Sequence, residues 1–298
     1  MKTAICTIST SSHLFKTKAL RQSLKMVSDV EFHVLLIDGV GEEGTEIIYY
    51  GLDCLSSDLA QSIKSKYKGD ALRWACKPLF LLHLLETKDS VIYVDNDICF
   101  FGSPSFLFDE LTKSAILLTP HYYEANPREN QNWLEANFRV GLFNAGFVGA
   151  SREGKNALLW WAECCLYNIK QSPCRGLFDD QKYLDLMPVL FHHIYIVKHK
   201  GCNVAGWNVV QCPRTANENG ELVLAKEFPL VFIHFANLTF KMIEQGVDPL
   251  LAQYSERYLQ LLKNEKPSHT LTDELKPRWF ELTSMIRFSL WKLYRIFE

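Results

Sequence analysis

The sequence lacks long apolar runs, paired cysteines and an excess of one charge. No apolar run reaches the length of a membrane span, and the short one at the N-terminus is too rich in Thr and Ser for a secretory signal. The net charge is −2 and the basic residues are scattered except near the C-terminus, which argues against nucleic acid as a partner. Nine cysteines, none in CxxC spacing, fit neither a zinc site nor a disulfide framework. We therefore expect a cytoplasmic protein.

What is present is enough apolar material for a large core. The chain has 298 residues, 48% of them hydrophobic, which fits one large α/β domain better than two ordinary ones. Strands are predicted at Thr3–Ser9, at Glu31–Gly39 and in the run that begins at Val91, with helices at about Lys16–Val27 and Ala71–Glu86 between them. This order predicts a parallel sheet with crossover helices, whose ligands gather at the carboxyl ends of the strands.

The most informative residues lie at such an end. The apolar run Val91–Val94 stops at Asp95, Asn96 and Asp97, after which apolar residues resume. Two carboxylates so close together repel each other unless a cation lies between them. Mg²⁺ or Mn²⁺ that also carries diphosphate oxygens meets this need, whereas the ordinary alternative is a polar turn that caps the next segment.

These residues also carry a resemblance to a known family. Five segments resemble, in order and spacing, GT-A nucleotide-sugar transferases of the glycogenin and lipopolysaccharide galactosyltransferase family: VIYVDNDICFFGSP, FNAGFVGA, FDDQKYLDLMP, GCNVAGWNV and IHFAN. The resemblance covers about residues 3 to 245 and extends to bacterial members that build cell-surface polysaccharides. It implies the GT-A fold, an α/β Rossmann-like architecture with a mixed, mainly parallel sheet flanked by helices.

The resemblance also implies a set of site residues. It places the metal, Mn²⁺ or Mg²⁺, on Asp95, Asp97 and His234, and it places Asn144, Asp180 and Gln181 around the donor sugar. The strand ends and helix faces add the expected contacts to the nucleotide-diphosphate sugar, which are Thr7, Ser9, Asp38, Lys77 and Asn96 together with the two aspartates.

Several of these residues have an ordinary reading as well. An isolated His such as His234 in an apolar strand is usually a core residue, and Asn144 can belong to a tight turn. Asp180 can cap the helix that follows it, and Lys77 can be one of an exposed basic pair on a helix. The place of His234 after the other motifs favours a ligand role, and the small residues next to Asn144 let the backbone approach a ligand closely. For Asp180, the capping role and the functional role can coexist.

The sequence departs from the family pattern at a few positions. Asn237 stands where the family's HFxG segment has glycine, Phe240 occupies a usual lysine position and Lys241 follows it. Lys182 replaces the last acid of a DQD segment. Contact of Lys241 with the diphosphate is therefore doubtful on sequence grounds.

The function that follows is transfer of a sugar, with UDP-sugar favoured, from a nucleotide-diphosphate donor to a glycan or lipid-linked acceptor in bacterial polysaccharide synthesis such as lipopolysaccharide or capsule. Retention of anomeric configuration is expected. One alternative is an inverting enzyme with Asp180 as base. Others are a sugar nucleotidylyltransferase, a metal-dependent phosphohydrolase and a non-catalytic glycan-binding module.

The C-terminal part predicts a different role. We expect a catalytic domain over residues 1–262, a polar linker over residues 263–275 and a basic amphipathic helix over residues 276–298. Such a helix suits peripheral contact with the inner face of an anionic plasma membrane, the alternative being a terminal helix packed on the domain.

Overall fold

The strands form one large sheet and two small ones. The structure is a computed structural model that describes residues 1–39, 41, 46–172 and 175–275. Its strands are β1 (Thr3–Ser9), β2 (Glu31–Leu36), β3 (Ile47–Gly51), β4 (Ser90–Val94), β5 (Ile98–Phe100), β6 (Ile116–Pro120), β7 (Phe143–Ser151), β8 (Ile194–Ile196), β9 (Arg214–Ala216), β10 (Leu222–Leu224), β11 (Phe228–Pro229) and β12 (Phe232–His234).

Helices connect most of these strands. They are α1 (Leu14–Lys25), α2 (Asp58–Lys66), α3 (Gly69–Leu84), α4 (Ser105–Glu110), α5 (Gln131–Arg139), α6 (Lys155–Tyr167), α7 (Met187–Leu190), α8 (Asn237–Glu244), α9 (Ala252–Glu265) and α10 (Leu271–Leu275). Side chains cap some of them, because the first N–H groups of a helix need acceptors. Ser57 accepts from the N–H of Ala60 at the start of α2, and Asn130 accepts from the N–H of Trp133 at the start of α5.

The large sheet is mixed and mainly parallel. Across the described ranges it has the strand order β3-β2-β1-β4-β7-β6-β8. The pairings of β1 with β2, β1 with β4, β2 with β3 and β6 with β8 are parallel, whereas β7 runs antiparallel to both β4 and β6. The predicted architecture is confirmed, and the predicted strand Thr3–Ser9 has the observed bounds.

Helices cover both faces of this sheet, so the side chains of its central strands are buried on both sides. On one face, Leu79 and Phe80 of α3 and Trp161 of α6 pack against alternate residues of β1 and β4. On the other face, Leu20 and Leu24 of α1 pack against the intervening residues. The sheet is thus the middle layer of a three-layer domain.

Some elements differ from the sequence prediction. Helix α3 spans Gly69–Leu84 where about Ala71–Glu86 was predicted, and β3 was not predicted at all. Within the part of the chain that the structure describes, no helix has the length and apolarity needed to cross a membrane.

The segment 263–275, predicted to be a linker, is packed against the domain. Helix α9 runs on to Glu265, and α10 ends the described chain. Lys16 Nζ lies 2.7 Å from Glu274 Oε2, and His269 Nε2 lies 2.7 Å from Glu274 Oε1, with all three side chains buried. The linker prediction is wrong for these residues because their polar side chains form a buried cluster. The predicted C-terminal helix, residues 276–298, lies outside the described residues.

Candidate metal centre

The two carboxylates stand in a short turn between β4 and β5. Strand β4 ends at Val94, and the N–H of Asp95 donates to the carbonyl of Gly146 on β7 at 2.9 Å. The N–H of Ile98 donates to the carbonyl of Asp95 at 3.1 Å, which closes the turn before β5 begins. The backbone therefore holds both aspartates at the carboxyl end of a central strand.

His234 reaches this turn because β12 pairs with β5. The antiparallel register places His234 opposite Ile98, and the N–H of Phe235 donates to the carbonyl of Asp97 at 2.8 Å. His234 Nε2 lies 3.1 Å from Asp97 Oδ1. One ligand atom each from Asp95, Asp97 and His234 lie within 4.8 Å of one another, in the one such group found among the described residues. Two carboxylate oxygens and an imidazole nitrogen suit a divalent cation.

Positive charge already compensates Asp95. Its Oδ1 accepts a hydrogen bond from the Tyr93 hydroxyl at 2.6 Å and lies 3.3 Å from Lys77 Nζ. Burial acts to lower the pKa of Arg73, but the carboxylates of Asp95 and Asp70 outweigh it and raise that pKa. The turn formed by residues 95–97, called the acidic turn below, thus lies against the basic side chains Arg73 and Lys77 of α3.

Lys77 links the acidic turn to Asp180. Its Nζ lies 3.2 Å from Asp180 Oδ2 and donates to the carbonyl of Ala145 at 3.0 Å, and the residue is only 2% exposed. Burial acts to lower the pKa of Lys77, but Asp180 and Asp95 outweigh it and raise the pKa. Lys77 is a buried ion-pair partner here, not part of the exposed basic pair that the sequence allows.

Asp180 and Gln181 stand at the start of a short helical turn that packs beside β7. The indole N–H of Trp161 donates to the carbonyl of Asp180 at 2.9 Å, and Gln181 Nε2 donates to the carbonyl of Val140 at 3.3 Å. Burial raises the pKa of the Asp180 carboxyl, against the opposing effect of Lys77. Asp180 is therefore joined to Asp95 through Lys77.

Asn144 takes part in a buried polar network. Its Oδ1 accepts from the N–H of Gly146 at 3.0 Å and from Asn203 Nδ2 at 3.3 Å, while its Nδ2 lies 3.1 Å from His121 Nε2. Asn203 Oδ1 lies in turn 3.2 Å from His234 Nδ1. Both polar atoms of Asn144 have protein partners, and the side chain is connected to His234 through Asn203.

His121 is the far end of this network. Its Nδ1 lies 2.9 Å from the carbonyl of Gly141, and burial lowers its pKa to about 3, so the imidazole is neutral. The ring of Trp207 meets the rings of both His121 and His234 edge-on, at centroid distances of 5.7 and 5.2 Å. Sequence reasoning missed His121 and Asn203, although Asn203 lies in the segment GCNVAGWNV that carries the family resemblance.

Gly146 leaves room for the side chain of His234. A Cβ atom at this position would lie 2.5 Å from Cε1 of His234 and 2.6 Å from Oδ1 of Asn144, both of them buried side chains. The absence of a side chain is therefore a requirement of the site, since neither neighbour has space to move away.

The substitution Gly146→Ala is expected to displace His234 and to weaken Mn²⁺ binding at least about 10-fold, with a stability loss of about 1–3 kcal/mol from overpacking. Mn²⁺ titration and urea unfolding measure the two effects. Gly149→Ala on the same strand is the matched control, because its Cβ would meet only the Leu117 side chain at 3.1 Å. Equal Mn²⁺ affinity in the two variants would contradict the steric role of Gly146.

Asp179 carries an unusual carboxyl group next to Asp180. Its backbone is left-handed, with φ 47°, and its Oδ1 is buried without a hydrogen-bond partner. Burial raises its pKa to about 7, although Gln171 donates to its Oδ2 at 3.0 Å. The folded protein therefore binds a proton here that the unfolded chain releases near its ordinary carboxyl pKa.

This difference makes stability depend on pH. Because the folded-state pKa is the higher one, the stability from protonated Asp179 is fully present below about pH 4 and is lost as pH rises to about 7. Asp179→Asn is expected to stabilise the protein by roughly 2–4 kcal/mol at pH 8 relative to the parent, and by much less at pH 4. Urea unfolding across this range measures it, with exposed Asp109→Asn as control. A constant difference between the two pH values would contradict the assignment.

The nucleotide contacts predicted at the ends of the first two strands differ in their exposure to solvent. Thr7 and Ser9 are fully buried, and Ser9 Oγ accepts from Thr17 at 2.9 Å and from Asn96 Nδ2 at 3.3 Å. These side chains are therefore poor candidates for the predicted nucleotide contact, and Ser9 and Asn96 stabilise the acidic turn instead.

Asp38 remains on the exposed edge beside this turn. Its Oδ1 accepts from the N–H of Ser11 at 2.7 Å and from the Ser11 hydroxyl at 3.1 Å, and both residues are exposed. Phe240, at the position where a lysine was expected, is a buried core residue. At the ends of the first two strands, Asp38 and Ser11 are therefore accessible from the surface, unlike Thr7 and Ser9.

Known structures resemble this arrangement of strands and helices. The galactosyltransferase LgtC, solved with donor and acceptor sugar analogs, matches with a TM-score of 0.53 and 13% identity, over 88% of this chain and 95% of LgtC. The bifunctional glycosyltransferase WbbM matches with a TM-score of 0.55 and 10% identity, over 91% of this chain and 51% of WbbM. The chain has the GT-A fold. The expected fold resemblance is confirmed, and the acidic turn occupies the strand end at which this GT-A chain gathers its polar side chains.

Sequence comparison adds bacterial relatives of this GT-A chain. The uncharacterized protein YfnF of Bacillus subtilis (strain 168) is 28% identical over 261 residues, which cover 82% of this chain and 84% of YfnF. YfnD of the same organism is 28% identical over 247 residues, covering 78% of this chain and 77% of YfnD. No protein-family model matches the chain.

Proposed function

We propose that this protein is a metal-dependent glycosyltransferase that moves a sugar from a nucleotide-diphosphate donor to a glycan acceptor. The observation that carries the proposal is the cluster of Asp95, Asp97 and His234 at a strand end of a GT-A fold. The glycosyltransferases LgtC and WbbM share this fold, which supports the same class of reaction.

The donor atoms fit a hard divalent cation. Asp97 is 8% exposed and His234 is 5% exposed, and an oxygen of the first faces a nitrogen of the second at 3.1 Å. Asp95, Asp97 and His234 would hold Mn²⁺ or Mg²⁺, which supplies positive charge to diphosphate oxygens as the bond to the sugar breaks.

The other residues orient the reactants. Lys77 fixes the carboxylates of Asp95 and Asp180 relative to each other through its two short contacts. The partly exposed Gln181 would then share hydrogen bonds with hydroxyls of the donor sugar, and the buried Asp180 would act on the site through its ion pair with Lys77. Asn96 holds the acidic turn against β1 through Ser9. Together these contacts provide positioning and charge compensation without a covalent step.

Retention of anomeric configuration is the outcome that this arrangement favours. The Asp180 carboxylate is 3% exposed and paired with Lys77, whereas a general base for inversion must reach the acceptor hydroxyl. NMR of the first product formed measures the anomer. An inverted product would instead support the alternative with Asp180 as base.

A screen of nucleotide sugars tests the proposed class. A true donor stabilises the native state by about 2.7 kcal/mol at a hundred times its dissociation constant with Mn²⁺, which should raise Tm by roughly 4–5 °C for a chain of this length. The shift should vanish in EDTA, and stabilised samples should transfer sugar or hydrolyse the donor. Sugar binding that ignores both nucleotide and Mn²⁺ would indicate a glycan-binding module. Pyrophosphate release from nucleoside triphosphate and sugar phosphate would indicate a nucleotidylyltransferase.

Finer assignments follow from the family resemblance. They are a UDP-sugar donor, a role in bacterial surface polysaccharides such as lipopolysaccharide or capsule, and a glycan or lipid-linked acceptor at the inner face of the plasma membrane. The bacterial relatives YfnF and YfnD are compatible with this setting. Deletion of residues 277–298 should weaken binding to anionic liposomes and spare donor hydrolysis. Unchanged liposome binding would remove the membrane role.

A further inference from the structure

The polar network behind His234 has a defined direction of hydrogen bonding, set by two backbone groups that cannot reverse. The N–H of Gly146 can only donate, so the atom of Asn144 that it meets at 3.0 Å must be the oxygen. The carbonyl of Gly141 can only accept, so Nδ1 of His121, 2.9 Å away, must carry the proton. These two groups fix the ends of the network.

The orientation then passes from one side chain to the next. With its oxygen toward Gly146, Asn144 presents its NH₂ group to His121 Nε2 at 3.1 Å, and this nitrogen is free to accept because the proton is on Nδ1. The same Asn144 oxygen needs a donor from Asn203, which therefore presents its Nδ2 at 3.3 Å. The two ends agree on one orientation of Asn144.

Asn203 transfers this orientation to the metal ligand. Its Nδ2 also donates to Thr119 Oγ1 at 3.1 Å, a hydroxyl that would serve either orientation, but a reversed amide would lose the hydrogen bond to Asn144 and bring its oxygen against the Asn144 oxygen. Its Oδ1 is left facing Nδ1 of His234 at 3.2 Å. An amide oxygen only accepts, so this contact is favourable when the imidazole carries a proton on Nδ1.

We propose that Asn203 is a positioning residue that keeps a proton on Nδ1 of His234 and so leaves the Nε2 lone pair for the metal. The inference rests on the proposed metal site. Nε2 is the nitrogen that faces Asp97 Oδ1, so it is the one on the side of the ligand cluster. A histidine ligand is commonly oriented by the hydrogen bond of its other nitrogen, and loss of that partner typically weakens metal binding 10–100-fold.

The backbone at Asn203 supports a dedicated role. The residue is fully buried and has a left-handed backbone with φ 58°, a conformation that among residues with a side chain Asn adopts most easily. Asn208 Nδ2 donates to its carbonyl at 2.9 Å and fixes the turn. The amide is thus held in place by its backbone as well as by its partners.

Nitrogen NMR of the histidine side chains in the metal-free full-length protein tests the proton position. His234 Nδ1 should be protonated in the parent protein and in Thr119→Val, which removes only a partner of the Asn203 NH₂ group. In Asn203→Gly, whose backbone suits φ 58°, Nδ1 should lose its proton, and Nε2–H should pair with Asp97. An unprotonated Nδ1 in the parent, or no change in Asn203→Gly, would overturn the proposal.

Titration of Mn²⁺ alone, followed by the loss of the free-ion EPR signal, gives the second readout. Asn203→Gly should raise the Mn²⁺ dissociation constant roughly 10–100-fold, whereas Thr119→Val should stay within a few-fold of the parent. Thr119→Val loses a hydrogen bond of the same network, so it controls for general loosening. Equal weakening in Asn203→Gly and Thr119→Val would overturn the proposal.

Failure of the metal site itself gives a different pattern. If Asp97→Ala binds Mn²⁺ as well as the parent does, the metal assignment is wrong whatever Asn203 does. If Asp97→Ala loses Mn²⁺ and Asn203→Gly does not, the metal site stands and the positioning role of Asn203 falls.

Discussion

Asp97→Ala is expected to lower kcat/KM for sugar transfer roughly 10³-fold, about 4 kcal/mol of transition-state stabilisation, and to remove Mn²⁺ binding. Asp97 supplies a ligand atom to the cluster, and its carboxylate faces His234 and not the apolar core. The hydrogen bond from the N–H of Phe235 to the backbone carbonyl of residue 97 does not depend on the side chain, so the fold should remain. Transfer assays with Mn²⁺ and with EDTA measure the effect.

The control for this experiment is Asp109→Ala. Asp109 is an exposed acid on α4, and its loss should leave both transfer and Mn²⁺ binding unchanged. Near-normal turnover of Asp97→Ala in Mn²⁺ and in EDTA alike would show that the carboxylate does not serve a metal.

Lys77→Met is expected to destabilise the protein by about 3–5 kcal/mol, the typical result of removing one partner from a buried ion pair. Lys77 is the cation between Asp95 and Asp180, whose side chain is 4% exposed. Methionine would fill the space while leaving the buried Asp180 carboxylate without its cation and Asp95 with less positive charge around it. Urea unfolding at neutral pH measures the loss.

A second substitution separates charge from packing. Asp180→Asn in the Lys77→Met background should recover part of the lost stability, because it removes the buried carboxylate that has lost its cation. Lys155→Met, at an exposed position on α6, is the matched control and should change stability by less than about 0.5 kcal/mol. A loss below about 1 kcal/mol in Lys77→Met would mean that the carboxylates do not depend on Lys77.

The sheet and the acidic turn were predictable because their signals are local. An apolar run that stops at Asp95 and Asp97 identifies a strand end, and alternation along β1 gives that strand its bounds. The proximity of His234 came from the family resemblance, since nothing near it in sequence indicates that β12 pairs with β5.

The connections behind the site were not predictable in the same way. Lys77 lies on a helix whose pattern does not reveal that its polar face is turned inward toward Asp180. Asn144 and Asn203 are short polar side chains without periodicity, so their partners emerge only when β7 and the 203–208 turn meet. Residues 263–275 gave a wrong prediction because polar composition usually marks a surface linker, whereas Lys16 compensates Glu274 inside the protein.

The pairing of β5 with β12 has a consequence for how the protein matures. Asp95 and Asp97 leave the ribosome long before His234, so a nascent chain can form the first strands of the sheet yet hold an incomplete set of ligands. The two-stranded sheet that β5 and β12 form has only three residues in each strand. Its local opening would separate His234 from the two aspartates without unfolding the central sheet. At the proposed metal site, capture of the ion would therefore be a late event in biogenesis, and slow release of a bound ion would report the opening of β5 from β12.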